Sequence, residues 1–178
     1  MKRKTAPQEE HRHAAPAKLG FFIVTVSSSR YDKGQKGVPF TDESGDTAEQ
    51  IVERSGHELA GRELISDDVK MIRETFERAT AKHGVDVVAF LGGTGVSPRD
   101  VTVEAVRPML EKEITGFGEV LRGISFAKMG TPALLTRSTA GVAHGKLILL
   151  LPGSPDGVKT AMELFMTEMG HVVYLTRK

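Results

Sequence analysis

The sequence predicts an α/β protein, a three-layer sandwich whose central sheet is mostly parallel with one antiparallel member. Three observations carry this expectation. The runs Leu19 to Val26, Val85 to Leu91 and Lys146 to Leu151 are apolar with little polar alternation, the pattern of strands buried on both faces. Segments with helical spacing of apolar residues lie between them, which is how parallel strands are connected. His144-Gly145 joins two strand-like runs with no room for a helix, so one neighbour must run antiparallel.

Each element has a local reason. Leu19 to Val26 (LGFFIVTV) gives a buried strand ending in Ser27-Ser28-Ser29, and Arg30 to Ser44, polar with Gly34, Gly37 and Pro39, reads as a long loop. Asp46 to Ser55 has helical composition with Gly56 at the C-terminal cap, followed by a mixed, edge-like strand over His57 to Ile65. Ser66 is placed to cap the next helix, with Asp67 and Asp68 in its first turn and Val69, Ile72, Phe76 and Ala79 on one apolar face, until Gly84. Val85 to Leu91 leads directly into Gly92-Gly93-Thr94-Gly95. Thr102 can cap a short helix that Pro108 restarts, and Phe117, Val120, Leu121 and Ile124 mark another, closed by Gly130. Leu134 to Ala143 and Lys146 to Leu151 form the hairpin pair, and Val158, Met162, Phe165 and Met169 define a last helix expected to end at Gly170.

The chain of 178 residues falls within the range of a single domain, expected over 19–178. Residues 1–18 form a polar arm with Lys2, Arg3, Lys4, Arg12 and Lys18 against Glu9 and Glu10, a composition expected to be disordered and unlike a secretory signal. Without the arm the chain holds 19 basic and 21 acidic residues, so nothing in its charge suggests a nucleic-acid partner. No apolar run approaches the roughly 18 residues of a membrane span, and a cytoplasmic location is expected. With no cysteine, disulfides, thiolate metal sites, iron–sulfur clusters and a cysteine nucleophile are excluded. The six histidines show no metal-ligand spacing, and no Gly-x-Ser-x-Gly elbow occurs.

In open parallel sheets ligands bind beyond the carboxyl ends of the strands, so the loops after Val26, Leu91 and Leu151 are the places for chemistry. Gly92-Gly93-Thr94-Gly95-Val96-Ser97-Pro98-Arg99-Asp100-Val101-Thr102 is the sharpest signal: its glycines let backbone amides approach an anion, and Arg99 adds a cation. It is neither a P-loop nor the G-x-G-x-x-G fingerprint, which removes the case for a nicotinamide-dependent dehydrogenase. Asp67 and Asp100 each follow a strand end, and two carboxylates beside a phosphate-binding turn suit Mg²⁺, although either could equally be a helix cap. Gly153 and Ser154, before Pro155, could hold an anionic or heterocyclic ligand, or simply begin a helix. Ser27 to Ser29 are similarly placed and similarly ambiguous.

Six ordered blocks now come together: Thr25-Val26-Ser27, Asp42-Glu43-Ser44-Gly45, Ile65-Ser66-Asp67, the Gly92 to Thr102 segment, Gly116-Phe117-Gly118-Glu119 with Arg122 and Ser125, and Pro152-Gly153-Ser154-Pro155. From about Leu19 to Met169 the chain resembles the molybdenum-cofactor biosynthesis family of MogA and MoaB. The resemblance implies a three-layer molybdopterin-binding fold, assembled as a homo-trimer or a hexamer of trimers. It also implies adenylylation of molybdopterin by Mg-ATP with release of pyrophosphate, in molybdenum or tungsten cofactor synthesis, the product passing to a metal-insertion enzyme. On that resemblance Asp67 and Asp100 are the catalytic, Mg²⁺-associated acids. Ser27, Gly92, Gly93, Thr94, Gly95, Ser97, Arg99, Thr102, Gly153 and Ser154 are the substrate-binding positions. Many members carry an aspartate directly after Thr-Val-Ser, where this chain has Ser28, whereas the arginine before the second aspartate, lost in some inactive relatives, is retained as Arg99 before Asp100. The competing reading is a non-catalytic molybdopterin-binding scaffold of the same pathway.

Overall fold

A computed structural model describes residues 15–178. Six strands form one sheet in the order β2-β1-β3-β6-β5-β4, with β1 Gly20–Val26, β2 Glu58–Ile65, β3 Val87–Leu91, β4 Lys112–Ile114, β5 Thr139–Ala143 and β6 Lys146–Leu151. β1, β2, β3 and β6 are mutually parallel, and β5 runs against both of its neighbours. β4 therefore runs with the other four, and five carboxyl ends lie on one rim of the sheet. β2 is an edge strand, as its mixed composition suggested.

Alternation along each strand divides the core. Phe21, Ile23, Val87, Ala89, Leu147 and Leu149 point to the face covered by α2 (Glu43–Arg54), α5 (Thr115–Met129) and α6 (Pro155–Thr176). Phe22, Val24, Val88, Phe90, Ile148 and Leu150 point to the other, covered by α3 (Val69–Ala81) and α4 (Thr102–Val106). All seven residues of β1 and all five of β3 are buried, which is why these runs show no polar face. Ile72, Phe76 and Ala79 are the apolar stripe of α3, each at 0% exposure. No helix among the described residues is long and apolar enough to cross a membrane.

Several boundaries differ from the sequence reading, each for a physical reason. The expected loop after β1 contains a helix, α1 (Ser28–Gln35), which buries no residue and so left no apolar period to read. α2 begins at Glu43 rather than Asp46, because Asp42 caps it by accepting the N–H of Gly45. Asp68, not Ser66, caps α3, accepting the N–H of Met71. β3 starts at Val87, since Val85 turns out of the sheet after Gly84 (φ 79°).

Thr102 is the first residue of α4, capped by Val101, and Pro108 sits in a single 3₁₀ turn (Arg107–Met109) rather than restarting an α-helix. The three-residue β4 was too short to be read. Residues 131–135 form a second 3₁₀ turn, so only Thr139–Ala143 of the expected Leu134 to Ala143 strand is extended. Val120 of α5 lies outside its buried face, at 51% exposure. α6 continues through Gly170 to Thr176.

At Gly170 the absence of a Cβ admits the backbone of Pro16, whose carbonyl oxygen would lie 3.2 Å from that atom. Ala15 and Pro16 of the expected arm thus pack on α6, Lys18 pairs with Glu58 at 3.0 Å, and the arm's residues 1–14 lie outside the described residues. The hairpin turn is as read: His144 (φ 52°) and Gly145 (φ 69°) both adopt the left-handed backbone that a two-residue turn of matching twist requires.

Candidate active site

The glycine-rich segment leaves β3 and folds back on itself. Gly92 has φ 105°, and a Cβ there would stand 2.6 Å from the carbonyl oxygen of Val26 at the end of β1. Gly93 has φ 66°, and a Cβ there would occupy the place of the Thr102 hydroxyl, 2.2 Å away. That hydroxyl, fully buried, donates to the Gly92 carbonyl at 2.8 Å, and the Thr102 N–H donates to the Gly93 carbonyl at 3.0 Å. Thr102 is thus the internal strut of the turn and does not face a ligand. Thr94 is also buried, its hydroxyl 3.3 Å from Ser138 Oγ and 3.4 Å from the Leu151 carbonyl.

Donor accounting shows what the turn can offer. The Gly92 N–H is committed to the Leu151 carbonyl at 3.1 Å, so Gly92 contributes shape rather than a free donor. The N–H groups of Gly93, Thr94, Gly95 and Val96 take no protein acceptor among the described residues. Successive unpaired amides of this kind suit an anion. The segment beyond closes as a turn: the Asp100 N–H donates to the Ser97 carbonyl at 2.9 Å, the Ser97 N–H donates to Asp100 Oδ2 at 2.8 Å, and the Arg99 N–H donates to Ser97 Oγ at 3.2 Å. The Arg99 side chain is exposed and takes no carboxylate partner among the described residues.

Asp67 follows β2 on the same rim. Strands β2 and β3 flank β1, which separates the two loops by roughly 10 Å at ordinary strand spacing. Ser28, one residue beyond Ser27, ties Asp67 to the end of β1: its N–H and its hydroxyl both donate to Asp67 Oδ2, at 2.6 and 2.8 Å. Asp67 Oδ1 and Asp100 Oδ1 accept no protein donor among the described residues. That leaves one open carboxylate oxygen on each, the kind of hard donor that a Mg²⁺ takes beside phosphate and water. No group of three or more His, Asp or Glu able to cage a metal occurs among the described residues.

The third loop approaches from β6. A Cβ on Gly153 would lie 3.1 Å from the Gly92 Cα, so these two loops touch backbone to backbone. The buried Ser44 hydroxyl donates to the Gly153 carbonyl at 2.6 Å and ties α2 to the loop. Ser154 caps α6 by accepting the Gly157 N–H at 3.2 Å, which leaves its hydroxyl proton free. The Ser27 N–H donates to the Ile65 carbonyl at 2.9 Å, so its backbone joins strand ends while its half-buried hydroxyl, among the described residues, meets Ser29 Oγ at 3.4 Å.

Two charged groups near this rim have no role assigned by the sequence, although Asp42 stands in one of its six blocks. The Arg137 N–H donates to the Thr94 carbonyl at 2.8 Å, its Nε to Gly95 at 2.6 Å and its Nη2 to Asp100 at 2.9 Å, while Glu104 pairs with the guanidinium. The Arg137 hydrogen bonds hold the Glu104 carboxyl below its usual range. Arg137 and Glu104 also line both a cavity of about 400 Å³ containing Ser97 and Asp100 and a groove of about 720 Å³ that holds Glu119 and Arg122. The second group is Asp42, bound by Thr25 Oγ1 at 2.8 Å and Arg62 at 2.7 Å, with Arg62 also reaching Asp46 and Glu49. Burial pushes the Asp42 carboxyl up, but hydrogen bonds from Arg62, Thr25 and Gly45 outweigh it and hold it below the ordinary value. A lone Arg in a polar stretch gives no sign in sequence of where its guanidinium will reach.

These features define a three-layer α/β protein whose candidate ligand site is built from three loops at the carboxyl ends of parallel strands. The family described as a probable molybdopterin binding domain matches residues 22–171, and the chain belongs to that family. It is 39% identical over 168 residues to molybdenum cofactor biosynthesis protein B of Halalkalibacterium halodurans, covering 93% of this chain and 94% of that one. It is 36% identical over 174 residues to the molybdopterin adenylyltransferase of Pyrococcus furiosus, covering 96% and 98%. Among solved structures, a crystal structure of molybdenum cofactor biosynthesis protein B superposes with a TM-score of 0.83 at 36% identity, over 92% of this chain and 98% of that one. The fold expected from the sequence, and the family it resembled, are thereby established.

Proposed function

We propose that this protein is a molybdopterin adenylyltransferase acting in molybdenum or tungsten cofactor synthesis, with Mg-ATP as co-substrate. The observation that carries the reading is the rim itself. Unpaired amides of Gly93 to Val96 lie beside Asp100 and the exposed Arg99, while Asp67 leans in from β2 with one carboxylate oxygen open. The name of the Pyrococcus furiosus relative supports the same activity.

In the reaction an oxygen of the terminal phosphate of molybdopterin attacks the α-phosphorus of ATP. The bond from that phosphorus to the oxygen bridging to the β-phosphate breaks, and pyrophosphate departs. Such transfer asks a protein for positioning and charge neutralisation rather than a nucleophile of its own, which fits a site with neither cysteine nor an activated serine. The Gly93 to Val96 amides, the Ser97 hydroxyl and Arg99 hold phosphate oxygens. Gly92, Thr94 and Thr102 fix the turn that presents those amides. The Gly153 and Ser154 loop, with Ser27, receives the pterin side. Asp67 and Asp100 would hold Mg²⁺, which when bound neutralises charge on the triphosphate and the departing pyrophosphate.

Exposed Val120, Phe126 and Met129 on α5, with Leu134 and Leu135 close by in sequence, support self-association, and the family resemblance makes that assembly a trimer or a hexamer of trimers. A metal-insertion enzyme is the expected recipient of the product. The test is pyrophosphate release from Mg-ATP with and without molybdopterin, beside Asp100→Asn. The proposal expects release that depends on molybdopterin and falls at least 100-fold in the variant. Tight molybdopterin binding without release would identify a scaffold instead.

A further inference from the structure

We infer that Ser28 is the positioning residue for Asp67, fixing the plane of its carboxylate so that the oxygen not bound by Ser28 stays aimed at the ligand and thereby setting the affinity of the site for a divalent cation. The inference rests on the role proposed above for Asp67 and extends it to a residue that no motif assigned. Its basis is a closed set of hydrogen bonds. Ser28 Oγ lies 2.8 Å from Asp67 Oδ2, 3.0 Å from the Asp67 backbone nitrogen and 2.9 Å from Ser66 Oγ.

A hydroxyl has one proton and two lone pairs. The carboxylate accepts that proton, the Asp67 N–H donates to one lone pair, and Ser66 Oγ–H donates to the other. No capacity remains on Ser28. Its backbone N–H, at the first position of α1 where no helical acceptor exists, donates to the same Oδ2 at 2.6 Å. Both donors therefore fall on one oxygen of a charged acceptor, where hydrogen bonds are strong and directional. A quarter-turn of the carboxylate about Cβ–Cγ would break both, so the plane of the group is held and its second oxygen is kept pointing away from Ser28.

The side chain of Ser28 is not alone in joining the strand ends. The Ser27 N–H also donates to the Ile65 carbonyl at 2.9 Å, a bond that needs no serine hydroxyl. Removing the hydroxyl should therefore loosen the carboxylate without unfolding the rim.

The experiment measures Mn²⁺ binding by electron paramagnetic resonance, with a non-hydrolysable ATP analogue present, for the wild type, Ser28→Ala, Ser28→Thr and Asp67→Asn. The same proteins are assayed for adenylyl transfer over a Mg²⁺ titration. Losing one hydrogen bond to a charged group corresponds to about a tenfold change. Ser28→Ala should weaken Mn²⁺ binding and raise the half-saturating Mg²⁺ concentration by about that factor, with the rate deficit closing as Mg²⁺ rises. Ser28→Thr, which keeps the hydroxyl, should restore most of the affinity.

If Asp67→Asn weakens Mn²⁺ binding while Ser28→Ala binds as the wild type does, the positioning role is wrong and the role of Asp67 stands. If Asp67→Asn itself binds Mn²⁺ normally, the role of Asp67 fails and this inference with it. A rate loss in Ser28→Ala that no Mg²⁺ concentration relieves, and that Ser28→Thr shares, would show a general structural role and overturn the proposal.

Discussion

Replacing Thr102 with valine removes one hydroxyl and almost nothing else, which makes the cost of the glycine turn measurable. The threonine is 0% exposed and its hydroxyl donates to the Gly92 carbonyl at 2.8 Å. Valine keeps the shape but leaves that carbonyl without its side-chain donor in the interior. A buried acceptor left short of a partner costs about 1–3 kcal/mol. At about 2–4 °C per kcal/mol for a chain of this size, a central value of about 2 kcal/mol lowers the melting temperature by about 4–8 °C.

Thr94→Val is the internal control. The Thr94 hydroxyl sits 3.3 and 3.4 Å from its two neighbours, near the outer limit of a hydrogen bond, so its loss should cost less than about 1 kcal/mol. Urea unfolding and calorimetry of the two variants supply the comparison, and hydrogen exchange at the bonded amides of Gly92 and Thr102 reports on the turn itself. Thr102→Val should exchange faster there. Equal stability of Thr102→Val and wild type, or an equal loss in both variants, would refute the view that this hydroxyl is the strut of the turn.

Two further outcomes follow from the charged groups around the rim. Arg137→Lys keeps the charge but loses the fork that reaches Gly95, Asp100 and Glu104 together, so the KM for ATP should rise about tenfold by steady-state kinetics, with faster exchange at Ser97 to Asp100. For Asp42, whose carboxyl is held below its ordinary value of 3.8, the stabilisation is fully present above that value and is lost as pH falls through the lower folded value. Asp42→Asn should then be less stable than wild type by about 2 kcal/mol in urea at pH 7, a gap that narrows below pH 4; a gap independent of pH would remove the carboxylate charge as its cause.

What was legible in the sequence follows from what packing writes into it. β1 and β3 were readable because burial on both faces excludes polar residues, and the stripe of α3 because only one side of that helix meets the sheet. α1 was not, because it buries nothing and is held by backbone bonds and its neighbours. β4, three residues long, exists only because β5 offers it an edge. The glycine turn was visible as composition, but its donor pattern was not: nothing in Gly92-Gly93-Thr94-Gly95 shows that the first amide is taken by Leu151 while the next three are not. The same holds for Arg137, some forty residues from the carbonyls it clamps, and for Ser28, whose value lies in a side chain across a strand junction. Motifs located the rim, and long-range hydrogen bonds arranged it.

The most direct test of the proposed activity is transfer of label from ATP carrying ³²P at the α-phosphate into a molybdopterin adduct separated by chromatography. The account predicts that the adduct carries the α-label, forms only with Mg²⁺ and molybdopterin present, and is lost in Asp100→Asn. Recovery of bound molybdopterin with no α-label, or undiminished labelling in the variant, would contradict it.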